Sequence, residues 1–119
     1  MKAIVKGIFL MSADVLLEDY CPDDPKCFGL WIDLNIGPDN EEGAHNYQVL
    51  VCTPDWIKGE CYGQKAVWGR HRLIVCEYDL ELIKEQIRHY VENCSGKDFW
   101  EMAQKVARIA AWEFEDYQP

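Results

Sequence analysis

Phe28-Gly-Leu-Trp-Ile-Asp-Leu-Asn-Ile36, Gly37-Pro-Asp-Asn-Glu-Glu-Gly43 and Tyr47-Gln-Val-Leu-Val-Cys-Thr53 together decide the fold. In the first, Phe28, Leu30, Ile32, Leu34 and Ile36 fall on every second position. That is the period of a strand with one face on a core and the other toward solvent. The second is a turn by composition, since glycine, proline and short polar side chains punctuate chains there. The third, rich in valine, reads as the hairpin partner of the first. Two paired strands with one apolar face need a cover, and the rest of the chain must supply it.

Working outward from the hairpin, residues 2–11 alternate loosely and are rich in Ile, Val and Phe, which predicts a first strand. Residues 12–26 form an acidic loop with Asp14, Glu18, Asp19, Asp23, Asp24 and two prolines. After the hairpin, Pro54-Asp-Trp-Ile-Lys58 opens an irregular connection, a short helical turn running to about Ala66. Val67 to Tyr78 reads as a fourth strand. Asp79 is a good N-cap, and Leu80, Ile83, Ile87, Tyr90, Val91 and Cys94 then recur at helical spacing. Ser95-Gly96 stops that helix. Asp98 with Glu101 predicts a capping box for a second helix, whose stripe of Phe99, Met102, Val106, Ile109 and Ala110 extends to about Trp112. Strands followed by helices predict an α+β fold: an antiparallel β-sheet of four or more strands, with two C-terminal helices packed on one face. No repeat, low-complexity tract or linker interrupts the chain, so residues 1–119 are expected to form a single domain.

Composition narrows the function. With 49% hydrophobic and 13% aromatic residues the chain is not intrinsically disordered. Its formal net charge of −9 opposes nucleic-acid and anionic-membrane partners, because phosphate affinity comes from Lys and Arg displacing counterions. A basic protein is the partner such a surface attracts. The six cysteines contain no CxxC pair, so neither a zinc ribbon nor a redox motif fits. The N-terminus lacks a long apolar segment, and no run approaches a membrane span. A reducing cytoplasm, free thiols and no metal or cofactor are therefore expected, with Cys52 and Cys76 as small buried hydrophobes.

The most enzyme-like local feature is Gly69-Arg-His-Arg72. His71 precedes an apolar run, however, and a structural role at a strand start is the expected one; His45 falls in a loop and His89 on a helix, without metal-spaced companions. The carboxylate pairs Asp23-Asp24, Glu41-Glu42 and Glu115-Asp116 lie in loops or at the chain end, where both members stay ionised, so neither becomes the neutral acid that catalysis needs. Asp39–Gly43 lacks calcium-loop spacing. No catalytic residue is assigned. Binding is the better use of these groups, since aromatic rings supply buried area while carboxylates speed encounter. The expected partner-binding residues are Glu18, Asp19, Tyr20, Asp23 and Asp24 in the first acidic loop, and Asp39, Glu41 and Glu42 in the second. The 112–117 segment, Trp-Glu-Phe-Glu-Asp-Tyr, either grips the partner too or packs onto the sheet; Trp56 and Tyr62 are further places to look.

Ile36-Gly-Pro38, Val51-Cys-Thr-Pro-Asp-Trp56, Gly69-Arg-His-Arg-Leu-Ile-Val75, Tyr78-Asp79, Ser95-Gly96 and Trp112–Tyr117 follow one another in an order and spacing that resemble the immunity protein 8 family of bacterial polymorphic-toxin systems. The resemblance covers about residues 28–117. It implies a cytoplasmic antidote that binds the C-terminal domain of a cognate toxin, nuclease-type and basic, delivered by contact-dependent growth inhibition or a related secretion system. The alternatives are a small cytosolic enzyme using His71 and an oligomeric adaptor domain.

Overall fold

The computed structural model describes residues 1–12 and 14–114. Ala3–Leu10 (β1), Gly29–Pro38 (β2) and His45–Cys52 (β3) form an antiparallel ladder with β2 in the middle. Opposite residues in such a ladder share a face. Leu30, Ile32, Leu34 and Ile36 therefore stand beside Val51, Val49, Tyr47 and His45, and all but His45 are buried. β1 joins with a β-bulge between Val5 and Gly7. The extra residue changes the phase of the strand, so Ala3 and Val5 face the core before it and Ile8 and Leu10 after it. Phe9 is thereby turned to the other face.

Two departures from the expected sheet follow β3. The connection after Cys52 is not a short turn: Pro54–Gln64 forms a full helix, α1. It carries the chain back so that Arg72–Ile74 (β4) pairs parallel to β3, not antiparallel. A parallel neighbour needs a long crossover, and α1 provides it. The expected strand from Val67 to Tyr78 shrinks to these three residues. α1 also lies on the face opposite the core helices. Its Glu60 reaches Arg72 at 2.9 Å, and Arg72 stands beside Leu50. Trp56 fills the space above Gly29, where a β-carbon would collide with the indole, and Gly29 stands beside Cys52. Leu50 and Cys52 are buried on this side although they point away from Val49 and Val51.

Leu80–Glu92 (α2) and Phe99–Val106 (α3) cover the other face, as the apolar spacing predicts. The Asp79 carboxylate accepts from the Leu82 amide at 3.2 Å, and that of Asp98 accepts from the Glu101 amide at 2.9 Å. α2 runs the length of the sheet. At its start the Tyr78 amide donates to Pro25 O, and beyond its end Cys94 O accepts from the Ala3 amide. Ile83, Ile87 and Val91 of α2, with Met102, Ala103 and Val106 of α3, complete the core. The second helix is shorter than its stripe predicts. The chain turns after Ala107, and Ala111–Trp112 (β5) pairs with Tyr47 and Gln48 at the same edge of β3 that β4 occupies further along. Burial of Trp112, stacked on Tyr47 with ring centroids 6.2 Å apart, overrides the helical propensity of the alanine-rich run before it.

Candidate binding surface

The first acidic loop contains a single 3-10 turn, Leu17–Asp19, whose Leu17 inserts into the core and fixes the backbone. Glu18 and Asp19 consequently point outward. Glu18 meets Lys84 of α2 at 3.2 Å. A hydrogen bond from its own backbone amide, and then the Lys84 ammonium, hold its carboxyl below the ordinary range, so it stays ionised. Tyr20 is half-buried rather than free: its ring meets Tyr78 edge-on at 5.9 Å, and its carbonyl accepts from the Tyr78 hydroxyl. Asp23 and Asp24 are exposed, and Asp24 caps its own turn by accepting from the Lys26 amide.

The second acidic loop sits elsewhere. Asp39, Glu41 and Glu42 are exposed at the far end of the β2–β3 hairpin, which is tied to β1 by Lys6 donating to Glu41 O and Gly43 O. The first loop lies by the start of α2 and the second by its end, so thirteen helical residues separate them, about 20 Å at 1.5 Å per residue. The fold places the two sets of carboxylates near opposite ends of α2 and does not bring them together.

The 112–117 segment resolves toward packing where it is described. Trp112 is buried and its Nε1 donates to His45 Nδ1 at 3.2 Å, while Phe114 packs against the same cluster; Glu115, Asp116 and Tyr117 lie outside the described residues. His45 is thus not a loop residue but the first residue of β3, held among Phe99, Trp112 and Phe114. His71 takes a left-handed backbone, φ 62°, and its Nε2 lies 2.9 Å from Ala107 O, which makes that nitrogen the donor and the side chain a tie between the β4 approach and α3. All six cysteines are free; Cys52 and Cys94 are buried, and their thiols are pushed up chiefly by desolvation. Cys76, expected inside, is exposed, because β4 ends at Ile74 and the chain leaves the sheet before it. Among the described residues no group of His, Cys, Asp and Glu is placed to hold a metal ion, and no helix is long and apolar enough to cross a membrane.

The immunity protein 8 family matches residues 4–117. The chain belongs to that family. No curated protein and no solved structure matches it. For an immunity protein 8 member the exposed aromatics become the surface features to explain. Phe9, Met11 and Trp31 stand together on the face of the sheet that α1 leaves open, and Tyr62 and Trp68 protrude from α1 and the loop after it, Trp68 being 91% exposed. Trp31 was visible in the sequence as an outward position of an alternating strand. Phe9 was not, since only the bulge at Lys6 decides which way it points.

Proposed function

We propose that this immunity protein acts as a stoichiometric, non-catalytic inhibitor of a cognate toxin: it binds the toxin's C-terminal domain in the cytoplasm and blocks it. The observation that carries this reading is the family match across residues 4–117. The charge of −9 supports a basic toxin domain, as nuclease-type toxins delivered by contact-dependent systems require for binding nucleic acid. The environment of His71, bonded to a main-chain carbonyl, supports a role in folding over one in turnover.

The test is a titration of the toxin domain encoded beside this chain, reading residual toxin activity. A binding inhibitor abolishes activity at one equivalent, in a complex burying roughly 1,200–2,000 Å² in total. Protection by a small fraction of an equivalent, lost in a folded His71→Ala variant, would instead establish an enzyme.

A further inference from the structure

The open face of the sheet carries an arrangement that neither the family match nor the acidic loops account for. Asp33 sits in mid-strand on β2, directly opposite Phe9 of β1 and Gln48 of β3, and two residues from Trp31. Met11, whose amide donates to Trp31 O at 3.2 Å, closes the row. Phe9 and Trp31 are 52% and 46% exposed. The Phe9 ring lies across Gly7, where a β-carbon would collide with it, so a glycine lets the ring rest on the sheet. Asn35, Asn46 and Gln48 lie beside it on this face, Leu50 and Cys52 are buried further along under α1, and Asp33 is the single carboxylate of β1, β2 and β3. Asp33 is half-buried: its Oδ1 is covered and has no hydrogen-bond partner among the described residues, while the rest of the residue still reaches solvent.

A carboxylate oxygen without a donor is costly to keep in a folded protein. A cation that reaches the accessible side of the half-buried carboxylate offsets that cost. An arginine fork or lysine ammonium satisfies the carboxylate by charge-assisted hydrogen bonds, and neighbouring rings attract the same cation through their faces. Aromatic side chains around one half-buried carboxylate, rimmed by amides, also have the make-up of an interface centre. A second copy of this chain is the poorer occupant, because it carries the same net charge of −9 and so repels the first. We propose that this face is where the toxin domain docks, and that Asp33, between Phe9 and Trp31, receives an arginine or lysine side chain of that domain. The inference rests on the inhibitor reading above and assigns it a surface.

The experiment measures affinity of the adjacent-gene toxin domain for the wild-type protein and for D33N, W31A and F9A, with thermal midpoints alongside. Hot-spot residues of this kind lower affinity about thirtyfold or more when truncated. Each variant is expected to lose that much. D33N should hold or raise its thermal midpoint, because it removes the charge from a half-buried carboxylate whose covered oxygen has no donor, whereas a merely structural Asp33 would give a fall. G7A, which displaces the Phe9 ring without touching Asp33, is a fourth variant expected to bind more weakly. Wild-type binding that W31A, F9A and D33N all retain would overturn the surface while leaving the inhibitor reading intact. Loss in W31A with full binding by D33N would overturn the cation. A wild-type dimer that W31A dissociates would overturn the toxin as occupant. No binding by wild type would remove the inhibitor reading itself.

Discussion

Tyr47 lies at the centre of the core with no exposed surface, and its hydroxyl is without a hydrogen-bond partner among the described residues. Burial, and next the nearby Cys94, push its phenol above the ordinary range. Removing a buried hydroxyl that has no partner relieves a desolvation cost, so Tyr47→Phe is expected to raise stability by about 1 kcal/mol in chemical denaturation at neutral pH. The sign of its pH dependence follows from the raised folded value. The phenol contributes fully below its unfolded value, about 10, and that contribution is lost as pH rises toward the folded one. The Phe variant should lose less stability than wild type above about pH 10, and an identical alkaline decline would count against the assignment. The cysteines divide by the same physics. Cys21, Cys27 and Cys76 are exposed and should react with a thiol reagent in the native protein, whereas Cys52 and Cys94 should react only on unfolding. A total other than six in denaturant, from material kept reduced during lysis, would mean a disulfide or a metal.

The elements show how much of the fold the sequence discloses. β2 and α2 are legible because each buries one face at its own period: Leu30, Ile32, Leu34 and Ile36 at two, and Ile83, Ile87 and Val91 near 3.6. α1 is not, since none of its residues is buried and Gly59 and Gly63 weaken its helical signal. α3 is overread in the opposite sense: its stripe continues through Ile109 and Ala110, but Trp112 is drawn into a pairing with Tyr47 that no local pattern reveals. In α2, packing outweighs capping. Asp79→Ala, which removes the bond to the Leu82 amide, should cost about 1 kcal/mol and lower the thermal midpoint by about 4 °C. Ile87→Ala should cost roughly 2–5 kcal/mol, because it leaves a cavity against the sheet. Equal losses for the two would show that α2 is held by its cap and not by its buried face. The candidate site was legible only in part. The carboxylates of both loops are exposed as their composition implies, whereas the open-face cluster depends on the bulge and the sheet register.

At the scale of the whole molecule, steering and holding fall to different surfaces. The two acidic loops are separated by the length of α2, about 20 Å, which exceeds the screening length of about 8 Å at physiological ionic strength. They should therefore act on an approaching basic domain as independent attractors. Converting Glu18, Asp19, Asp23 and Asp24 to amides should slow association, and converting Asp39, Glu41 and Glu42 should slow it further by a separate factor. Glu18 is already countered by Lys84, so its amide alone should matter less than that of Asp19, Asp23 or Asp24. Dissociation should change little in either set, since rim charges act mainly on encounter. Thermal stability should also hold, because exposed carboxylates contribute little to folding. The measurement is association rate against salt for each variant: the wild-type rate should fall steeply with ionic strength, and the doubly altered protein should show a flatter dependence. The open-face variants should behave in the opposite way, keeping the association rate and shortening the lifetime of the complex. A rate that ignores salt in the wild type and is unchanged in both loop variants would mean that the negative charge serves solubility alone. Recognition would then rest wholly on the uncharged aromatics, Trp31 and Phe9 first and Tyr62 and Trp68 next.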